Sequence, residues 1–261
     1  MSSARENRIQ HFKDLTSIKD YYHAVGDISL SPAYMFSQKQ NNHTLEPYDL
    51  NRVYFTNDNV IETLTKVDDV AVLVFASAKN PGGGVLKGSI AQEEAISYHT
   101  SWYFQAQMNT AFYSQRGDSA LNTDKVSIAN GFIFTDINHK EIEPPKPITF
   151  IACAAPNKTG IQSQKLNISD EIIYQHLNVR IQNILLAAEQ SKTPNLILGA
   201  FGCGVFGLDP KKVALIFKEN IEKGFYSGSI IFSIMDLELL NLFKEIISDY
   251  PTNTSSKKKS L

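Results

Sequence analysis

A chain of 261 residues with 43% hydrophobic residues and a formal net charge of -2 can bury a sizeable core, and it carries no overall basic field to draw it to nucleic acid or a membrane surface. Two cysteines, Cys153 and Cys203, cannot build a disulfide framework, and no apolar run approaches the length of a membrane span. The N-terminus, MSSARENRIQHFK, lacks the apolar centre of a signal peptide, so the expected setting is soluble and reducing, the cytoplasm, with the nucleus also compatible. Both cysteines read as small buried residues, and the basic run Lys257, Lys258, Lys259 lies in a polar tail, 251–261, expected to be disordered.

In chain order, residues 2 to about 22 are mostly polar and helix-compatible, and a stretch containing Gly, Ser and Pro follows to Tyr48. Residues 1–50 are therefore expected to form a helical extension packed on a core domain of residues 51–250. Arg52 to Thr56 reads as a short strand, and Asp58 to Val67 as a helix with Val60, Ile61, Leu64 and Val67 at helical spacing. Val70 to Ala76 is nearly all apolar, as in a central strand covered on both faces. It leads into three consecutive glycines, Gly82, Gly83 and Gly84. Gln92, Glu93 and Glu94 then open a helix predicted to run from Ala91 to about Phe112. Its aromatic cluster of Trp102, Tyr103 and Phe104 reads as core packing in preference to a cofactor-stacking surface. Residues 113–126 are expected to be loop, Gly131 to Thr135 a strand, and the acidic, proline-rich segment 138–147 another loop.

Ile148 to Ala154 is a second apolar strand, and 158–167 a polar connection. Ser169 is placed to cap a helix whose stripe is Ile172, Ile173, Leu177, Ile181, Ile184, Leu185 and Ala188. Leu196 to Leu198 forms a strand running into a second glycine loop, Gly199 to Gly207. Asp209 and Pro210 start the next helix, Ile230 to Met235 is the last strand and Leu237 to Ile247 the last helix. Strands that alternate with helices predict one three-layer α/β/α domain with a mixed, mainly parallel central sheet. Both glycine loops follow the carboxyl ends of strands, the edge at which open α/β sheets bind ligands. Glycine lets backbone approach a ligand closely and its N–H groups can wrap an anion, so the two loops are expected to clamp a pyrophosphate from both sides. No GK[ST] follows the first loop, which argues against a nucleoside triphosphatase.

The spacing Gly82-Gly83-Gly84, seven residues, Gln92-Glu93-Glu94 resembles the signature of the poly(ADP-ribose) glycohydrolases, in particular the shorter bacterial-type branch of that macrodomain family. Asn80-Pro81, Ala155-Pro156-Asn157 and the second glycine loop fit the same family, so the resemblance runs from about Arg52 to Asp236. It implies a macrodomain-like fold that hydrolyses ribose–ribose O-glycosidic bonds of poly(ADP-ribose) from the chain end, releasing ADP-ribose. It also implies roles: Glu94 as general acid and base, Glu93 on ribose hydroxyls, Asn80 on the distal ribose and Phe206 packed against that sugar. Gly82, Gly83, Gly84, Val85, Gly202, Cys203, Gly204 and Val205 would line the substrate, and Gln92 would brace the glutamates or cap their helix. The family's adenine-associated aspartate falls near Asp58 and Asn59. Gly207-Leu208-Asp209 departs from the family's Gly-Asn-Asp.

A carboxyl shielded from water beside a bound pyrophosphate should hold its proton above the usual range, which would suit Glu94 as a proton donor. No CxxC, HExxH or closely spaced His pair is present, so no metal and no cofactor are expected and activity should survive a chelator. His99 reads as a packed or exposed histidine. The same residues also fit removal of single ADP-ribose units from protein or nucleic acid, or a non-catalytic ADP-ribose-binding module, which Glu94 argues against. Expected partners are poly(ADP-ribose) or ADP-ribosylated protein, with no direct DNA binding, for a monomeric chain.

Overall fold

The apolar runs of the sequence become the middle of a sheet in the computed structural model, which describes residues 3–25, 34–35, 49–113, 121 and 124–248. The expected tail 251–261 and nearly all of the 26–48 stretch lie outside the described residues, as does most of the loop expected over 113–126. Helix α1 (Ala4–Val25) and strand β1 (Tyr34–Met35) precede β2 (Val53–Thr56), α2 (Val60–Lys66) and β3 (Val70–Phe75). Three short helices follow, α3 (Gln92–His99), α4 (Trp102–Met108) and α5 (Thr110–Tyr113), and then β4 (Val126–Thr135) and β5 (Glu141–Cys153). The chain continues through α6 (Lys158–Ser163), α7 (Asp170–Ser191), β6 (Asn195–Leu198), α8 (Pro210–Glu222), β7 (Ser229–Ser233) and α9 (Leu237–Ile247).

The seven strands among the described residues form one sheet in the order β1-β4-β5-β3-β6-β7-β2. The β5-β3, β3-β6, β6-β7 and β7-β2 pairs are parallel, while β1-β4 and β4-β5 are antiparallel. Successive strand residues point to opposite faces. Ala71 and Leu73 of β3 pack with Leu177, Ile181 and Phe217 of α7 and α8, whereas Val70, Val72 and Val74 pack with Ile61, Leu64, Ile96 and Trp102 of α2, α3 and α4. The result is the expected three-layer α/β/α arrangement. Capping follows the sequence at Ser169, which accepts the Ile172 N–H, and at Asp209, which accepts the Lys211 and Lys212 N–H groups ahead of Pro210. Ile172, placed in the apolar stripe, is instead 42% exposed on the outer side of α7.

Three segments correct the reading of the sequence. The single helix expected from Ala91 to Phe112 is broken at Thr100, whose backbone is extended, with φ -134° and ψ 176°. There the chain borrows sheet bonding: Thr100 bridges Ile133, and the Ser101 N–H donates to the Phe132 carbonyl at 2.9 Å. The loop expected over 138–147 is largely strand, because β5 begins at Glu141. From Glu141 to Ile148 it pairs with β4 alone, and β3 joins only from Thr149 onward. Proline removes a donor but is tolerated where one strand edge makes no ladder, so Pro144, Pro145 and Pro147 do not end the strand. The polar connection after Asn157 likewise contains α6, capped by the Asn157 side chain accepting the Gly160 N–H at 2.8 Å.

Helix α1 buries Phe12 and Leu15 against Val85, Tyr98, Tyr103 and Phe134. Its first turns also reach the segment that follows the first glycine loop. Arg5 Nε donates to the Lys87 carbonyl at 2.6 Å, and the Arg8 guanidinium donates twice to the Gly88 carbonyl, at 3.1 and 2.9 Å. Gly88 has φ +73°, and a Cβ there would lie 2.6 Å from Arg5 Cγ, so glycine serves both the turn and the docking of α1. Among the described residues, no helix is long and apolar enough to cross a membrane.

Candidate active site

Because β3 and β6 are parallel neighbours, their carboxyl ends deliver the two glycine loops side by side. A cavity of about 880 Å³ lies there, a size that suits a small-molecule ligand. It joins Asn80, Gly83 and Gly84 of the first loop and Gln92, Glu93 and Glu94 of α3 to Gly202, Gly204, Val205 and Phe206 of the second loop.

Gln92 sets the position of α3. Its Oε1 accepts the Phe75 N–H at 2.9 Å and its Nε2 donates to the Leu73 carbonyl at 2.7 Å, so the side chain continues the bonding of β3 where the ladder ends. The residue before the helix, Ala91, offers no side-chain cap. Gln92 is thus a brace and not a cap, and it fixes the turn that carries both glutamates.

Glu93 is 3% exposed and held by four donors. Its Oε2 accepts the Ser77 N–H at 2.6 Å, while Oε1 accepts from Gly82 N–H at 3.1 Å, Trp102 Nε1–H at 3.3 Å and Tyr113 O–H at 3.2 Å. Glu94, 7% exposed, is bonded on one side only: Oε1 accepts the Gly84 N–H at 2.7 Å, and Oε2 is buried with no partner among the described residues. Adjacent helix positions start about 100° apart. Yet both carboxylates reach the same glycine, since a Cβ built on Gly83 would lie 2.3 Å from Glu94 Oε1 and 3.2 Å from Glu93 Oε2.

These contacts correct the expectation of a two-sided anion clamp. The N–H groups of Gly82 and Gly84 are directed to the glutamates, that of Gly83 donates to the Asn80 carbonyl and that of Val85 to the Gly82 carbonyl. The first loop is a carboxylate holder. Gly82 and Gly83 adopt φ of +69° and +61°, a backbone that side chains resist. The second loop differs: the N–H groups of Gly202, Gly204, Val205 and Phe206 donate to no acceptor among the described residues. Lys87 is the one basic side chain among the described lining residues.

Burial raises the pKa of Glu93 from its usual 4.5 to about 8, against the opposing pull of its donors, all of which favour the ionised form. The folded state therefore holds this proton where the unfolded chain has released it. The corresponding stability is fully present below pH 4.5 and is lost as the pH rises through about 8. Urea unfolding between pH 5 and 8.5 should show the parent losing stability relative to Glu93→Gln, which has no proton to release. Parallel curves for the two proteins would contradict this.

Residues 12–134 match the family model for the microbial-type PARG catalytic domain. Among solved structures, poly(ADP-ribose) glycohydrolase from Thermomonospora curvata bound to the inhibitor ADP-HPD is 30% identical, with 74% of this chain and 79% of that chain covered and a TM-score of 0.65. This chain belongs to the poly(ADP-ribose) glycohydrolase family. The poly(ADP-ribose) glycohydrolase of Deinococcus radiodurans in complex with ADP-ribose is 28% identical, covering 76% of this chain and 84% of that one at a TM-score of 0.68. A further Thermomonospora curvata poly(ADP-ribose) glycohydrolase structure covers 92% of this chain and 99% of that one at a TM-score of 0.76; at 23% identity this is a likeness of fold. No curated protein sequence matches the chain. The family model begins inside α1, well before Arg52, where the motif resemblance starts.

As a poly(ADP-ribose) glycohydrolase family member, the chain brings most of its motif residues to one cavity, but not all. Gly82 is buried beneath it. Val85 is 1% exposed in the α1 cluster, with its carbonyl accepting the Tyr98 hydroxyl at 3.0 Å. Cys203 lies outside the lining, and burial pushes its thiol, like that of Cys153, up to about 12, so both are inert at neutral pH. Asp58 and Asn59 do not line the cavity: Asp58 pairs with Lys66 at 2.6 Å, and Asn59 caps α2 in a reciprocal box with Glu62. Leu208, where the family has asparagine, is 2% exposed under the second loop. Trp102 and Tyr113 hold Glu93, although Trp102 reads as core from sequence; they stand 9 and 20 residues beyond it, at no spacing that marks a partner. Ser77, Tyr103 and Gln107 also line the cavity without a signal in the sequence.

Proposed function

We propose that this chain is a poly(ADP-ribose) glycohydrolase that removes ADP-ribose units from the end of the polymer, with Glu94 as general acid and base. The observation that carries the reading is the Oε2 of Glu94, without a partner among the described residues, in a cavity whose second glycine loop offers N–H groups that meet no acceptor among those residues. A buried carboxylate oxygen without a partner is costly unless a ligand supplies one. The free N–H groups suit a pyrophosphate, with Lys87 adding positive charge.

In the step this supports, protonated Glu94 gives its proton to the 2′-oxygen of the departing ribose as the bond from that oxygen to the anomeric carbon breaks. The bonding pair leaves with the oxygen. The bound pyrophosphate stabilises the oxocarbenium character at the anomeric carbon. Ionised Glu94 then takes a proton from water as the water oxygen bonds to that carbon. The products are ADP-ribose and a polymer one unit shorter. Oε1 of Glu93 already takes three donors, so the proton that Glu93 holds below about pH 8 sits on Oε2, where it can be donated to one ribose hydroxyl oxygen, and its four bonds keep it still while the sugar is held. Asn80 and Phe206, both at the cavity, are assigned to the distal ribose. Incubation with polymer of defined length should give ADP-ribose and a ladder shortened one unit at a time. Early accumulation of internal fragments would contradict cleavage from the end.

A further inference from the structure

Away from the cavity, three segments distant in sequence meet through histidines: His11 of α1, His99 at the last turn of α3 and His139 in the turn between β4 and β5. One ring nitrogen from each lies within 4.8 Å of the other two. The ring centroids are 3.7 Å apart for His11 and His139, 5.0 Å for His99 and His139, and 5.3 Å for His11 and His99. His11 Nε2 meets the Tyr98 carbonyl at 2.7 Å, which makes it the N–H donor and leaves Nδ1 with a bare lone pair. His99 Nδ1 meets Thr135 Oγ1 at 2.9 Å, so Nε2 is the nitrogen left to hold an ion. Outer hydrogen bonds of this kind fix the tautomer and ring orientation of metal-binding histidines.

We propose that His11, His99 and His139 form a site for a divalent transition metal ion, with zinc the best fit to three imidazole nitrogens and water completing the coordination. Nitrogens about 2.1 Å from a tetrahedral zinc stand about 3.4 Å from one another. Closing the cluster to that spacing needs rotation of His139, an exposed side chain on a turn at φ +62°. His99 is 4% exposed and fixed, so it forms the base of the site.

The ion would fasten α1 to α3 and to the β4-β5 turn. Since Arg5 and Arg8 of α1 hold the Lys87 and Gly88 carbonyls, it would also steady the segment beside the first glycine loop. It would be structural, because none of the three histidines lines the cavity. The expectation of no metal rests on local spacing, and these ligands come from three separate segments.

The test uses the full chain without a polyhistidine tag. Zinc at about a hundred times its dissociation constant should raise the melting temperature by about 5 °C or more. Cobalt(II) should give a visible d–d absorption band. His139→Ala, an exposed change, should abolish both responses while keeping the metal-free melting temperature and the ADP-ribose response of the parent. An unchanged zinc shift in His139→Ala, or no zinc shift and no cobalt band in the parent, would overturn the proposal.

Discussion

Glu94→Gln is expected to lower turnover on poly(ADP-ribose) by at least about 100-fold, the lower range for loss of a general acid–base, while affinity for ADP-ribose stays within a few-fold. Glutamine keeps the shape of the side chain, and its carbonyl oxygen can still accept the Gly84 N–H that Glu94 Oε1 accepts at 2.7 Å. What is lost is the proton on the second oxygen, the atom without a partner in the cavity. Glu93→Gln should behave differently. Two of its four donors, Ser77 N–H and Gly82 N–H, are backbone groups that cannot turn away, and an amide nitrogen facing either would leave it unsatisfied. Both turnover and polymer affinity should therefore fall in Glu93→Gln. If Glu94→Gln turned over within a few-fold of the parent while Glu93→Gln was dead, the roles of the two glutamates would be reversed.

Gly204→Val is expected to abolish stabilisation by ADP-ribose while leaving the free protein's melting temperature nearly unchanged. A Cβ on Gly204 meets nothing within 4 Å, and its φ is not in the left-handed region, so the unliganded fold accepts the side chain. A pyrophosphate lying along the free N–H groups of this loop would meet it at once. In the parent, ADP-ribose at about a hundred times its dissociation constant should stabilise the fold by about 2.7 kcal/mol, and adenosine should do much less. Equal shifts from adenosine and ADP-ribose, or an undiminished ADP-ribose shift in Gly204→Val, would remove the second loop as the phosphate site. The first loop gives a contrasting control. Gly83→Val forces a side chain onto φ +61° and to within 2.3 Å of Glu94 Oε1, so its damage should appear in turnover through the displaced carboxylate.

The strands around the site were readable because burial on both faces writes itself as an unbroken apolar run, as in Val70 to Phe75 and Ile148 to Cys153. The outer half of β5 was not, since a strand paired on one side can carry Pro144, Pro145 and Pro147 and so reads as a loop. The break at Thr100 was hidden for a related reason: a single extended residue bridging Ile133 leaves the helical pattern on either side intact. At the site, the glycines and glutamates could be picked out, but not that the first serve the second. Glycine-rich sequence signals available N–H groups, and only the folded chain decides whether an anion or a neighbouring carboxylate takes them. Trp102, Tyr113 and the three histidines escaped for the same reason, because their partners lie in other segments and leave no spacing to read.

The most direct measurement of the central claim compares release of ADP-ribose from poly(ADP-ribose) with release from a protein carrying a single ADP-ribose unit, under identical conditions with the parent and Glu94→Gln. Hydrolysis of the polymer by Glu94, as proposed, predicts rapid release from the polymer by the parent, a loss of at least about 100-fold in Glu94→Gln, and slow or no release of the protein-linked unit. Release of the protein-linked unit as fast as polymer cleavage, or polymer cleavage that persists undiminished in Glu94→Gln, would contradict it.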